Sequence, residues 1–499
     1  MNVNDLPPEI LQLILSFLNH KERLETAQVC KRWYESCFSS KFTNEMHIRL
    51  NMPDHLAECE NLSLLKLVKS FTFSFNESQI EPDVHEKFVE TLRNTKVQSL
   101  IVCGEQKVVD QFVSSYLVYM DSLKYLTIVA HGAENSLPIK IHHSNIKYLN
   151  LETPINAEVE CPQLTVLNLT DSDKVTLSSV ISQIHTLIIK PITIPKFSIA
   201  EHISSGLNAS KLKILQVTEP LGEKLPLINL CLKYTPCLEE LYIDAVSFDG
   251  FILNPEFGHL KSLLKLELKH VHIDTQAFQT LLKELASLKE LCLFMCEFSG
   301  RIALFDQLHS TSIARFTWIV SNDVLILPKF VKLTYLKIST RADLTSQLIA
   351  NIAHTFKDLE TFQIGLGPGL IGKLPSDSIS YLASLKSLRR IKFERLILEN
   401  VDWNSLCLEN ILTVNLIYSA ITGNDVLGMG QAFSRLQRLH FEGCYLKQPT
   451  AVFDIYARED DADQNGLRKQ FPRCCFSYND CHLEEYDMCG GRKKPGFVQ

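Results

Sequence analysis

Four segments in the middle of the chain repeat one hydrophobic pattern: Leu238-x-x-Leu241-x-Ile243, Leu263-x-x-Leu266-x-Leu268, Leu288-x-x-Leu291-x-Leu293 and Ile313-x-x-Phe316-x-Trp318, with first residues 25 apart. The fourth and sixth positions differ by two, so on a short strand both side chains point into a shared core, while the third, fifth and seventh point outward. The pattern continues less regularly on both sides. It begins at Val68, Val97, Leu123, Ile146, Leu164, Ile184 and Leu212 before the central run, and at Leu333, Leu359, Leu388, Ile411 and Leu436 after it. Sixteen units result, at a mean interval of about 24.5 residues. Between strands the period lengthens to that of a helix. Phe278, Leu281, Leu282 and Leu285 mark one face of 274–285, and Leu344, Leu348, Ile349, Ile352 and Phe356 mark one face of 343–356. Intervals of 18 and 20 residues, at 146–184 and 313–333, predict helix-poor units.

A strand and a helix returning at this interval is the pattern of the leucine-rich repeat. It predicts an α/β solenoid (a horseshoe) of stacked parallel strands, in which the usual size limit on a single core lapses for a chain of 499 residues. Cys296 and Cys444 fall at the ninth position of their units, where this class uses Asn or Cys to bond backbone between neighbours. In this they resemble the cysteine-containing repeats found behind F-boxes.

The first forty residues are patterned differently. Leu6-Pro7-Pro8-Glu9-Ile10 opens a helix in which prolines suit the first turn and Glu9 sits near the positive end. Ile10, Ile14 and Leu18 recur every four residues with Leu13 and Phe17 beside them, giving a broad apolar face. A second segment runs through Leu24 and Ala27, and a third places Cys30, Trp33 and Cys37 on one face. A unit of about forty residues is at the lower limit for independent folding and asks for a partner. These motifs, with Val29-Cys30-Lys31-Arg32-Trp33, closely resemble the F-box. The resemblance implies a three-helix F-box docked on a Skp-type adaptor and, through it, a cullin, with Leu6, Pro7, Ile10, Ile14, Leu18, Leu24, Val29 and Trp33 facing the adaptor. Where many members have Asp-Leu at the second helix, this chain has Lys21-Glu22-Arg23-Leu24, a weaker helix start. The expected domains are an F-box at 1–45, about sixteen repeats at 46–446, and a C-terminal cap with a partly disordered tail at 447–499.

Composition narrows the function classes. With 45% apolar and 21% charged residues the chain reads as soluble and globular, and a formal charge of −7 supplies no field for a nucleic-acid backbone. No secretory signal or bilayer-length apolar run is seen, so membrane partners are not expected and the fifteen cysteines read as reduced thiols in cytoplasm or nucleus. Gly367 to Lys373 fits the first seven positions of a nucleotide-binding P-loop, but Leu374 replaces the Mg²⁺-ligating hydroxyl and Pro375 opposes a helix there; an inter-repeat loop is expected. Cys474, Cys475, Cys481, His482 and Cys489 lack the paired Cys-x-x-Cys spacing of a zinc site. No catalytic order of Ser, His and Asp and no His-Glu-x-x-His occurs, and Cys292 has no nearby base. No metal, cofactor or intrinsic catalysis is expected.

Function then falls to the outward strand positions. Early units present Thr72, Ile101, Thr127, Tyr148, Val166, Ile188 and Ile214, whereas later ones present charges and rings. Tyr242, Lys265, Glu267, Phe294, Arg315, Tyr335, Lys337, Arg390 and Lys392 are the candidates for contacting a target protein, since aromatics interleaved with Arg are enriched in binding hot spots. The F-box resemblance implies a substrate receptor of an SCF-type ubiquitin ligase. The alternative is a non-degradative interaction scaffold.

Overall fold

The structure is a computed structural model that describes residues 6–18, 20–39, 42, 46–52, 68–75, 88–93, 95–131, 138–152, 156–170, 174–176, 181–190, 211–219, 235–245, 260–299, 308–320, 327–341, 344–367, 369–398, 401–403, 406–447, 475–479 and 482–483. The chain divides into two compact units, residues 1–238 and 239–499.

The first unit opens with three helices, α1 (Pro8–Leu15), α2 (His20–Ala27) and α3 (Lys31–Cys37). Pro7 caps α1 and Pro8 takes its first position, where a missing N–H removes no hydrogen bond. Leu11, Leu15, Ala27, Cys37 and Phe42 form a closed core, with Leu18, Trp33 and Phe38 packed against it. The Arg32 guanidinium donates to the Leu6 carbonyl, and Arg23 lies 4.7 Å over the Phe42 ring. Parallel strands follow: β1 (His47–Met52), β2 (Ser70–Phe75), β3 (Ser99–Glu105), β4 (Tyr125–His131), β5 (Tyr148–Glu152), β6 (Val166–Thr170), β7 (Thr186–Lys190) and β8 (Ile214–Glu219), each paired with the next. Helix α4 (Gln106–Tyr116) buries Val109, Phe112, Val113 and Tyr116, and Phe112 meets Phe73 with ring centroids 5.6 Å apart.

The second unit continues the same ladder type through β9 (Glu240–Ala245), β10 (Lys265–Lys269), β11 (Glu290–Phe294), β12 (Arg315–Ile319), β13 (Tyr335–Thr340), β14 (Thr361–Leu366), β15 (Arg390–Glu394), β16 (Thr413–Ile417), β17 (Arg438–Glu442) and β18 (Cys475–Asn479), again each parallel to the next. Every predicted unit has its strand, beginning two residues after the first position of the pattern. Equal positions pair, as in Leu241, Leu266, Leu291 and Phe316, so the buried leucines stack in continuous rows. The fold is that of a leucine-rich-repeat protein, as the pattern predicts.

Two strands of the main ladders were not expected. β1 precedes the first predicted unit, and β18 lies within the segment assigned to a cap, in register with β17. Both lack the leading leucine: Glu45 and Arg473 stand in its place. Helices α5 (Thr275–Glu284) and α6 (Ser346–Thr355) occupy the predicted positions, capped by Asp274 and Thr345, and bury the expected faces. The short-interval units carry short second strands instead, at Asn156–Glu160, Lys174–Thr176 and Lys329–Phe330, the first paired with Ile139–His142 and the last with His309–Ser310 of the units before them.

The exit from five main strands of the second unit is also repetitive. The eighth position is left-handed at His270 (φ 54), Met295 (φ 51), Arg395 (φ 57), Tyr418 (φ 49) and Gly443 (φ 57). The turn aims each backbone N–H at the next unit, as in His270 N to Phe294 O (2.8 Å) and Met295 N to Ile319 O (2.7 Å). At the ninth position Cys296 Sγ reaches Leu268 O (3.3 Å), Cys444 Sγ reaches Leu416 O (3.1 Å) and Ser419 Oγ reaches Phe393 O (3.4 Å). The thiols thus bond the neighbouring backbone as expected, and Ser419 is a further member of the row.

Candidate protein-interaction surfaces

Helix α1 is apolar nearly all round, and the fold divides its sides. Leu11 and Leu15 are fully buried, while Ile10, Leu13, Ile14 (41% exposed) and Phe17 (81%) face solvent. Val29, in the turn before α3, is 64% exposed. Of the residues expected to face an adaptor, Pro7, Ile10, Ile14 and Val29 are exposed and Leu6 is half-buried. Leu18 and Trp33 also serve the helices' own core. The four-residue line Ile10–Ile14–Leu18 therefore splits: α1 ends at Leu15, and a turn bonded from Leu18 N to Leu15 O directs Leu18 back against the core. The Leu24 side chain lies outside the described residues. Leu13, Phe17 and Tyr34 add exposed apolar surface beyond the expected set. Exposed apolar side chains at helical spacing, Ile10, Leu13, Ile14 and Phe17, mark an interaction surface on so small a unit.

Residues 3–49 match the F-box-like family. This F-box-like domain is a small part of the chain. No curated protein sequence matches this chain. Among solved structures, the chain is similar to that described as "Crystal structure of TLR13-ssRNA13 complex", at 15% identity and a TM-score of 0.51, covering 77% of this chain and 57% of that one. The chain therefore spans a little over half of that neighbour's length, and the likeness concerns the repeat fold alone. F-box-like and leucine-rich-repeat domains are interaction modules.

On the outward strand face of the second unit, Lys265 Nζ lies 3.2 Å from Glu290 and 5.0 Å from the Tyr242 ring. Arg315 reaches the other Glu290 oxygen at 3.2 Å and stacks 4.1 Å over Tyr335. Lys269 pairs with Glu267 at 3.0 Å and lies 5.2 Å from the Phe294 ring. Burial works against the Lys265 charge, but hydrogen bonds with Glu290 and Tyr242 outweigh it and hold the ammonium above the usual lysine range. Burial and the hydrogen bond to Glu240 push the Tyr242 phenol up to about 12. Among the expected target-contacting residues, Tyr242, Lys265, Glu267, Phe294, Arg315 and Tyr335 thus form one self-neutralised network over β9–β13. Lys337, Arg390 and Lys392 lie beyond it on β13 and β15.

Cys292, expected to point outward, is covered by this network and buried; burial and the adjoining Glu290 and Glu267 push its thiol up to about 11, away from nucleophilic chemistry. Thr72 is likewise buried, bonded to His47 Nε2 at 2.6 Å, because β1 brings a histidine across it. The Gly367 segment leads from β14 through Gly369 (φ 79) into a short strand at Gly372–Lys373, and the next helix starts at Ser378, so no helix N-terminus stands where a phosphate would be held. Cys474, Cys481 and Cys489 lie outside the described residues, as do the side chains of Cys475 and His482. Among the described residues no group of three or more His, Cys, Asp or Glu gathers to hold a metal, and no helix is long and apolar enough to cross a membrane.

Proposed function

We propose that this protein is the substrate-recognition subunit of an SCF-type E3 ubiquitin ligase. The F-box-like helices dock on a Skp-type adaptor and through it join a cullin, while the outward strand face of the repeats grips a target protein. The contribution to ubiquitin transfer is proximity, which raises the effective concentration of target lysines without covalent chemistry on this chain. The cytoplasm and nucleus are the compartments in which this assembly works.

The observation that carries the reading is the division of apolar side chains in α1–α3. Leu11, Leu15, Ala27 and Cys37 close the core, and Ile10, Ile14, Phe17 and Val29 are left uncovered. A helix bundle acting only as a cap on the repeats has no use for a second apolar face turned to solvent.

The test is co-purification of the full chain with adaptor and cullin, beside an Ile14→Asp/Val29→Asp variant. Both partners are expected with the parent chain and neither with the variant, at unchanged circular dichroism. Equal recovery of the adaptor by both chains sinks the docking assignment. A target whose abundance is indifferent to neddylation inhibition, yet which stays stoichiometrically bound, favours the non-degradative scaffold.

A further inference from the structure

The repeat face changes electrostatic character along the second unit. Over β9–β12 each lysine or arginine of the network has an acidic partner, as Lys265 and Arg315 have in Glu290. Over β13–β17 the balance is lost. Lys337, Arg390 and Arg438 stand at outward positions and take part in no ion pair among the described residues. Lys392 pairs with Glu394 at 3.4 Å, but Glu394 is shared with Arg395 at 2.7 Å, so one carboxylate serves two cations.

The register fixes the spacing of these charges. Lys337, Gln363, Lys392 and Asn415 are consecutive partners at the fifth position, so cations alternate with amides on successive strands. Arg390, Thr413 and Arg438 repeat the alternation at the third position. Strands lie about 4.8 Å apart, which places like charges about 10 Å apart, near the screening length in physiological salt. Anions are confined to the seventh position, at Glu394 and Glu442, and β14 carries Gly365 there instead of a side chain.

We propose that the face of β13–β17 binds an acidic peptide segment of the target, with Asp or Glu at about every third residue. An extended chain advances about 3.3 Å per residue, so such a segment crossing the strands meets one cation per carboxylate. A single phosphate fits less well, because a dianion calls for donors converging on one point. Single-stranded RNA fits less well too. The Tyr335 ring at the margin is covered by Arg315, the Tyr418 ring at the exit of β16 has Arg395 over it, and Phe362, Phe393 and Phe441 are buried, so among the described residues the aromatic rings of this face are covered or buried rather than open for base stacking. The proposal deepens the target-binding part of the receptor reading, and its test needs neither adaptor nor ligase, so each can fail alone.

The experiment is fluorescence anisotropy on the full chain with a labelled Ser/Gly peptide carrying Glu at every third position. Comparison probes are its Gln counterpart, a Ser/Gly peptide with one phosphoserine, and an oligouridine of similar length. The same titrations on a Glu459→Gln/Asp460→Asn/Asp461→Asn/Asp463→Asn chain remove competition from the protein's own acidic run. The Glu peptide is expected to bind about tenfold or more tighter than the Gln peptide, and to weaken severalfold as salt rises from about 50 to about 300 mM. Arg390→Ala/Arg438→Ala, and separately Lys337→Ala, should each weaken it about fivefold or more, while Lys107→Ala on α4 should not, at unchanged melting curves. Equal affinity for the Glu and Gln peptides, indifference to both sets of variants, or tighter binding of the phosphoserine peptide or the RNA overturns the proposal.

Discussion

Phe17→Ala separates docking from folding in the F-box-like helices. The side chain is 81% exposed, so truncating it removes few contacts within the protein and should change stability by no more than about 0.5 kcal/mol. Full burial of a phenylalanine contributes about 1.5–3 kcal/mol, and about four-fifths of that remains to be gained when an adaptor covers Phe17. The loss on truncation is then about 1–2.5 kcal/mol, or about 5- to 60-fold in Kd. Leu15→Ala is the counterpart. Leu15 is fully buried in a core of a few side chains, and its truncation should cost about 2–5 kcal/mol, comparable to the whole stability of so small a core. Calorimetric titration of a Skp-type adaptor into the full chain reads the first quantity, and hydrogen exchange over residues 8–37 reads the second. Phe17→Ala should keep parent-like exchange with weakened binding, whereas Leu15→Ala should lose protection and binding together. Unchanged affinity in Phe17→Ala, or parent-like affinity in Leu15→Ala, refutes the assignment of inner and outer faces.

Other consequences of the fold are open to measurement. A Cβ at Gly365 would lie 2.5 Å from the Glu394 carbonyl, so Gly365→Ala should force β14 from β15 and cost about 1–3 kcal/mol in denaturant melts. Asp274 accepts from Ala277 N at 2.8 Å, and Asp274→Ala should cost about 1 kcal/mol by removing the cap of α5. Met295→Gly should relieve left-handed strain of about 1–2 kcal/mol at an entropic cost of about 0.5–1, a net gain visible as a higher Tm. Burial holds the Cys292 thiol at about 11 and the Cys296 thiol at about 12, both above the ordinary value near 9. Between those values the unfolded chain sheds protons that the folded chain keeps. Their stabilising contribution is therefore full below about pH 9 and falls from about pH 9 to about 12, a slope that Cys292→Ala/Cys296→Ala should flatten. Among the described cysteines, thiol labelling should proceed at exposed Cys237 and then Cys407, whose thiol Glu409 holds above the usual range, with Cys292 and Cys296 reacting only on unfolding.

The legible part of the molecule is the part that repeats. Leu263, Leu266 and Leu268, returned at 288 and 313, fix strand position, register and inward face together, because a slip of one residue would turn every leucine to water. The helix over 275–284 was equally plain, since Asp274 and the Phe278–Leu282 face are local signals. β1 and β18 were missed because terminal strands dispense with the leading leucine that inner units use to fill the core between neighbours. Only the two-residue alternation of Ile48 with Leu50, and of Phe476 with Tyr478, remained as a signal.

For this protein, local pattern was sufficient wherever a side chain has one favourable environment: leucines two apart on a strand share its inner face, and prolines ahead of an apolar run suit the first turn of a helix. Three-dimensional packing was needed wherever the sequence offers two equivalent choices. Seven apolar residues ring the segment from Ile10 to Leu18, and only the approach of Ala27, Cys37 and Phe42 selects Leu11 and Leu15 for the interior and leaves Ile14 and Phe17 outside. Charges behave in the same way. Lys265 and Lys337 occupy outward strand positions alike, and it is the strand laid beside each, one bringing Glu290 and the other Gln363, that neutralises the first and leaves the second available.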